Sequence, residues 1–243
     1  MLCCRTDRPL LLAAALFLGA AAPLPSTPSV QNRLAQWLSL VAPLATDRPA
    51  DDYAAFLLQT PVWPQRAKIL WRYQNALTHT SDPEALNRLC PALPLTLVSA
   101  FLNCQDHLPS AVNEVRRLWI SGAGTFQEEG ALLARYATVF SADDQWQRYA
   151  TLEAKGQISA AGRQIPRLPP ERQALARARL AERSVSPDAD SAFNALSPAE
   201  RADPILIRYR LRALRRGDRL DDALALWNDA GSRLQTAAPS HEW

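Results

Sequence analysis

The sequence predicts an all-α protein, an irregular α-solenoid or superhelix of antiparallel helical hairpins. Three observations lead there. Apolar residues recur at helical spacing along the chain, and no stretch alternates as a half-buried strand does. Helix start and stop signals return at short intervals. The elements they delimit are roughly 9 to 15 residues long with loops of about 2 to 6, so neighbours must run antiparallel. Hydrophobic residues make up 48% of the 243, enough for a sizeable core.

The chain opens on a different pattern. Arg5 and Arg8 precede an apolar run from Leu10 to Ala22, with small residues from Gly19 to Ala22. That is the layout of a secretory signal, and the run is too short to span a bilayer comfortably. Residues 1–22 are therefore expected to be a signal peptide, with the membrane met only during export. Cys3 and Cys4 precede the apolar run, so neither fits a lipobox cysteine. Residues 23–29 are proline-rich and read as a disordered linker, leaving 30–243 as the α-superhelical domain.

Within that domain each element has its own signal. Leu34, Trp37, Leu38 and Val41 fall at i, i+3, i+4 and i+7 and predict the first helix with that face buried. A second helix ends near Gln59, because Pro61 and Pro64 lack N–H donors and restrict the residues before them. Trp63 lies in the resulting corner and is expected to plug it against the next helix. Ser81-x-x-Glu84, Thr125-x-x-Glu128 and Ser197-x-x-Glu200 predict capping boxes. Cys90 is expected to end one helix and Leu95 to Asn103 to form the next, antiparallel one. Cys104 then lies about 13 Å of helical rise away, too far for a disulfide. Pro166, Pro169 and Pro170 interrupt the pattern, and Asp203-Pro204 is an N-cap followed by proline at the first helical position. Gly156, Gly217 and Gly231 are expected at helix ends that need a positive φ. Leu220, Ala223, Leu224 and Trp227 predict the last buried stripe. The hairpins at Leu152–Gly156 with Ala160-Ala161, and at Leu211–Gly217 with Ala223-Leu224, look tetratricopeptide-like, without a strict period.

Several segments together resemble a known family. Phe56-Leu57 followed by Pro61-Val62-Trp63-Pro64, then Leu70, Arg72, Ala76 and Leu77, is similar to "F-L-x-x-x-P-x-W-P, L-x-R, A-L". That is the opening of the helical region of soluble lytic murein transglycosylases. Phe140 to Trp146 resembles that family's "F-T-P-x-D-H" helix start, and Gly156 to Leu180 its "G-R-x-x-A-A-R-R-x-x-P-x-L … A-x-A-R-L" run. Asp203-Pro204 with Tyr209, Arg210 and Arg215 to Gly217 looks like the "D-P-G-L-x-Y-x-R-A-x-x-x-R-x-x-G" hairpin. His241-Glu242-Trp243 falls where the family has "P-x-x-W-W". In order and spacing these cover about residues 50 to 243. The resemblance implies a ring-shaped helical scaffold in the periplasm, acting on glycosyl bonds of peptidoglycan. The family's catalytic Glu, followed by Ser, and its "G-L-M-Q" segment have no counterpart here. The implied partners are glycan strands or a downstream catalytic domain, and the chain alone is expected to be inactive.

The residues that could carry chemistry have plainer readings. Glu128-Glu129 and Asp143-Asp144 each lie in the first turn of a predicted helix, where the dipole and free N–H groups favour a capping carboxylate; Asp221-Asp222 reads the same way. His79, His107 and His241 are scattered without i, i+4 partners and there is no C-x-x-C, so no metal or cofactor is expected. Gly122-Ala123-Gly124 follows a helix and reads as a turn rather than a phosphate loop. Trp37, Trp71, Trp146 and Trp227 fit apolar stripes, and Trp63 and Trp243 are freer to meet a sugar.

One surface remains. Arg208, Arg212, Arg215 and Arg219 form a stripe, with Arg210 and Arg216 beside it. It is either a solvated face paired with Asp218, Asp221 and Asp222, or an anion-reading surface for muramyl and stem-peptide carboxylates, which arginine binds bidentately. The formal net charge of +3 is too small to argue for nucleic acid. The leading expectation is thus the scaffold region of a periplasmic lytic transglycosylase, as a split or truncated product active only with a catalytic polypeptide. The rival is a helical-repeat adaptor of the cell envelope that binds a protein.

Overall fold

The computed structural model describes residues 29–42, 48–59 and 61–237. The signal-like segment, the linker up to residue 28, and His241, Glu242 and Trp243 lie outside the described residues. Among the described residues the chain is all-α: fourteen α-helices and no strand. In chain order they are α1 (Val30–Val41), α2 (Ala50–Leu57), α3 (Arg66–Thr78), α4 (Pro83–Leu89), α5 (Val98–Cys104), α6 (Ala111–Ile120) and α7 (Phe126–Tyr136). There follow α8 (Ala142–Ala154), α9 (Ile158–Gln164), α10 (Pro170–Ser184), α11 (Ala189–Asn194), α12 (Pro198–Arg201), α13 (Pro204–Arg216) and α14 (Leu220–Ala237).

The start signals act much as their chemistry requires. Thr125 with Glu128 and Ser197 with Glu200 form reciprocal capping boxes on α7 and α12. Asp203 caps α13, its Oδ1 accepting from the Leu206 N–H at 2.8 Å, with Pro204 at the first helical position. One signal resolves differently. At α4 the cap is Asp82 rather than Ser81, because its carboxylate accepts from both the Glu84 and Ala85 N–H groups. Ser141 and Asp144 form a further box on α8, in which aspartate takes the part usually played by glutamate.

Glycines divide by cause. Gly156 has a φ of +72° just after α8, as a helix stop should. Gly217 closes α13 at φ −86°, and the left-handed residue is Asp218 instead. Gly231 lies inside α14. A Cβ there would stand 2.9 Å from Trp227 Cε2, so the missing side chain makes room for the indole one turn earlier.

The core falls into four groups that follow one another along the chain. The first runs from Leu40 to Phe140, the second from Tyr149 to Ala176, the third joins Ala178, Leu196 and Leu206, and the last joins Ile207, Ala230 and Leu234. Helices pack accordingly: α2 on α3, α3 on α5, α6 on α8, α8 on α9, α10 on α13 and α13 on α14. Buried ion pairs span the helix contacts. Glu153 accepts from Arg179 across α8 and α10, and Glu182 from Arg210 across α10 and α13.

Four packing expectations are overturned. On α1 the buried residues are Arg33 and Leu40, while Leu34 and Leu38 are exposed. Arg33 is drawn inward because its guanidinium lies over Phe56 and Trp63, at 5.3 and 5.5 Å from the ring centroids. Trp63 closes the proline corner against helices before it, meeting Phe56 at 6.1 Å and Trp37 at 6.2 Å. On α14 Leu220 and Leu224 face solvent and the small Ala223 and Ala230 face α13, which lets the two backbones approach. Trp71 is half exposed rather than core.

Cys90 and Cys104 form a disulfide, with Cα atoms 5.5 Å apart, against the expectation of two free thiols. The error lay in the helix start. Pro91 and Ala92 turn the chain, Pro94 to Leu97 has no regular structure, and α5 begins only at Val98. The chain runs outward through that segment and α5 returns, so its last residue comes back to Cys90. Gln74 holds the outgoing segment: its Oε1 accepts from the Leu97 N–H at 2.8 Å and from the Thr96 N–H, and its Nε2 donates to Thr96 Oγ1 at 2.9 Å.

Candidate anion-binding face on helix α13

Helix α13 buries Leu206, Ile207, Tyr209 and Leu214, pairs Arg210 with the buried Glu182, and exposes Arg212, Arg215 and Arg216. Arg208, Arg212 and Arg215 recur at i, i+4 and i+7 and share one face, about 10 Å long. Arg219 leaves that face. It follows the turn at Gly217-Asp218, where its N–H donates to the Leu214 carbonyl at 2.9 Å. Its guanidinium then pairs with Asp190 at 2.6 Å and Asp222 at 2.7 Å. The hydrogen bond from Arg219 holds the Asp190 carboxyl below the usual carboxylate range. The predicted stripe therefore divides: Arg208, Arg212 and Arg215 share a face of α13, and Arg219 belongs to a network with Asp190 and Asp222.

Two clefts of about 370 Å³ flank α13, with Arg212 on the ridge between them. One is polar and lies against the end of α10: Arg183, Arg212 and Arg216 line it, with Glu182 and Gly156. The Arg183 guanidinium stacks 5.0 Å from the Tyr209 ring centroid and donates to the Ala154 carbonyl at 3.2 Å, which fixes its position. The second lies between α13 and α14. Leu211, Ala223, Leu224 and Trp227 line it together with Arg208, Arg212 and Arg215. Arg183 was not legible in the sequence, since it comes from α10, some 30 residues earlier in the chain.

The paired carboxylates take separate roles. Glu128 accepts from the Thr125 N–H at 2.7 Å, as a cap. Its neighbour Glu129 is buried and faces three guanidiniums, Arg167 at 3.1 Å, Arg163 at 3.3 Å and Arg148 at 3.6 Å. Asp144 accepts from the Ser141 N–H at 2.9 Å and from Arg116 at 3.0 Å, while Asp143 pairs with Arg172 at 3.3 Å. Asp222 is taken by Arg219. Glu182, which sequence reasoning passed over, is the carboxylate that burial pushes up. Its Oε1 is held by Arg210, so proton donation from it would break a buried pair.

His107 Nδ1 lies 2.7 Å from Asn87 Oδ1, and among the described residues no group of three or more His, Cys, Asp or Glu could hold a metal ion. No helix among them is long and apolar enough to cross a membrane. No protein-family model, no curated protein and no solved structure matches the chain.

Proposed function

We propose that the chain is an exported, irregular α-superhelical scaffold, the part of a peptidoglycan lytic transglycosylase that guides glycan strands to a catalytic domain. The observation that carries the scaffold reading is the division of the core into four groups in chain order. Repeat-type helical proteins hold together in this way, each unit against its neighbours, and they present extended surfaces for long ligands. The Cys90–Cys104 bridge supports an oxidising compartment. The polar cleft supports an anionic ligand, because Arg183, Arg212 and Arg216 offer planar forks suited to muramyl and stem-peptide carboxylates. Cleavage is assigned elsewhere. The paired carboxylates are engaged by cap N–H groups and guanidiniums.

The test is co-sedimentation of the purified chain with peptidoglycan sacculi, alongside an assay for released anhydromuropeptides. Binding should fade as salt rises, since exposed charges are screened beyond about 8–10 Å. It should also weaken in an Arg183→Ala, Arg216→Ala variant, and no anhydromuropeptide should appear. Absence of binding at low salt would remove the peptidoglycan reading. Release abolished by Glu128→Gln, Glu129→Gln would restore those carboxylates as the active site.

A further inference from the structure

Three cations share one carboxylate where α7, α8 and α9 meet. Buried Glu129 takes Arg167 at 3.1 Å, Arg163 at 3.3 Å and Arg148 at 3.6 Å, and among the described residues no second carboxylate pairs with any of the three. Three guanidiniums against one carboxylate leave a surplus of two positive charges. Burial lowers the Arg148 pKa, and repulsion from Arg167 and Arg163 adds to it. Acceptors are short as well as negative charge. The Nε atoms of Arg148 and Arg163 are buried without a hydrogen-bond partner.

This surplus is open to solvent on one side, since the Arg163 and Arg167 side chains are 37% and 33% exposed. The two grip opposite oxygens of Glu129 and so stand side by side. Arg163 does this through Nη2, and Arg167 through Nη1, which also donates to the Arg163 carbonyl at 2.7 Å. Among the described residues nothing accepts from Arg163 Nη1 or Arg167 Nη2, so each guanidinium has N–H groups to spare for an arriving oxyanion.

The neighbouring residues narrow the choice of oxyanion. Phe126, at the start of α7, is 68% exposed, and the Arg163 guanidinium stands 5.0 Å from its ring centroid. One turn on, Gly130 occupies the interior of α7, where glycine is less favourable than alanine. A Cβ there would meet nothing within 4 Å, so packing does not require the glycine. Its effect is to leave the helix backbone bare beside the ring. Free phosphate would be held by charge alone and would use neither feature. A carboxylate carried on a sugar would use both. The C–H face of the sugar leaves water on the phenyl ring, its edge passes over the bare backbone, and its hydroxyls stay in solvent on this open surface.

We propose that Arg163 and Arg167 bind the carboxylate of an acidic sugar whose ring stacks on Phe126 and passes over Gly130. The site shares no residue with the polar cleft beside α13. It rests on the proposed function only for the class of ligand, a carboxylate-bearing glycan, and gives that glycan a second point of contact.

The test is titration of the isotope-labelled chain with N-acetylmuramic acid and with glucuronic acid, followed by NMR at the amides of Gln127, Gly130 and Ala131. Neutral N-acetylglucosamine is the control. Both acids should shift these amides, and the tighter one names the source of the glycan. The neutral sugar should bind roughly tenfold more weakly or worse, through loss of hydrogen bonds to a charged group. Phe126→Ala, at an exposed position, should weaken both acids, as should Arg167→Gln, checked for helicity. Gly130→Leu should keep the fold, because the side chain has room, and lose both acids, because it fills the approach. The Arg183→Ala, Arg216→Ala variant should leave the shifts unchanged. Sacculus binding absent while the shifts persist would remove the sacculus reading and uphold this one. Equal binding of neutral and acidic sugars would overturn the proposal. So would acids that bind Gly130→Leu as well as the native chain, or inorganic phosphate that binds as tightly as either acid and ignores Phe126→Ala.

Discussion

The Arg148 guanidinium lies 3.9 Å from the centroid of the Trp119 ring, and its Nη1 donates to the Trp119 carbonyl at 2.7 Å. The other face of that indole stacks on Phe140, 4.5 Å away. Arg148 is almost wholly buried, so burial pulls its pKa down to about 10, still well above neutrality. Its counter-charge is Glu129, which it shares with Arg163 and Arg167. One carboxylate thus keeps α7, α8 and α9 in register around a charge the core could not otherwise hold.

Removing Glu129 should therefore be far worse than removing its neighbour. Glu129→Gln leaves a buried guanidinium facing two others without compensation, a loss of about 3–5 kcal/mol. Glu128→Gln weakens only the capping box, at about 1 kcal/mol or less. Urea denaturation of the two variants checks the ratio; similar losses would mean that the charge cluster is solvated.

Gln74→Leu should cost about 2–4 kcal/mol although leucine fits an apolar core. The variant strands the Thr96 and Leu97 N–H groups, and each buried unpaired donor costs about 1–3 kcal/mol. Hydrogen exchange at those two amides should accelerate more than elsewhere. Unchanged protection there would show that water replaces the side chain.

What was legible in the sequence was local. The caps at Thr125, Ser197 and Asp203 sit on helix starts because a side chain satisfies N–H groups two or three residues away. Faces were less legible. Helical spacing marks where apolar residues align, but Leu34, Leu38, Leu220 and Leu224 align and remain outside. What decided those faces was long-range: Arg33 reaching Phe56 and Trp63, and the alanines of α14 allowing close approach to α13. The candidate site shows the same division. Arg208, Arg212 and Arg215 share a face because their spacing dictates it, while Arg219 and Arg183 were decided by Asp190 and Tyr209 from other elements.

The Cys90–Cys104 bridge should appear as a cross-linked fragment in non-reducing peptide maps. It closes a span of 14 residues, which corresponds to about 3 kcal/mol on the chain-entropy estimate. A Cys90→Ser, Cys104→Ser variant should lose stability on that order and keep its helical circular dichroism. Separate, alkylatable cysteines in the native protein would place Pro91 to Leu97 differently from the path described.

Asp190 should give the fold part of its acid sensitivity. Arg219 and Arg210 reach its two oxygens at 2.6 and 2.9 Å, and the hydrogen bond from Arg219 is the main reason its folded-state pKa is lowered. A lowered carboxylate pKa contributes stability that is present above the unfolded value, about 3.9 for aspartate, and is lost as pH falls through the folded one. The carboxylate is about half exposed, at 51%, so solvent screens the pair and the contribution at neutral pH is modest, about 0.5–1 kcal/mol. Asp190→Asn should thus be less stable than the native chain at pH 7, and the two denaturation curves should converge as pH drops below about 4. High salt should shrink the gap at pH 7 in the same way. A gap that persists unchanged into acid would mean that Asp190 acts through hydrogen-bond geometry alone, since asparagine also accepts a hydrogen bond but carries no titrating charge.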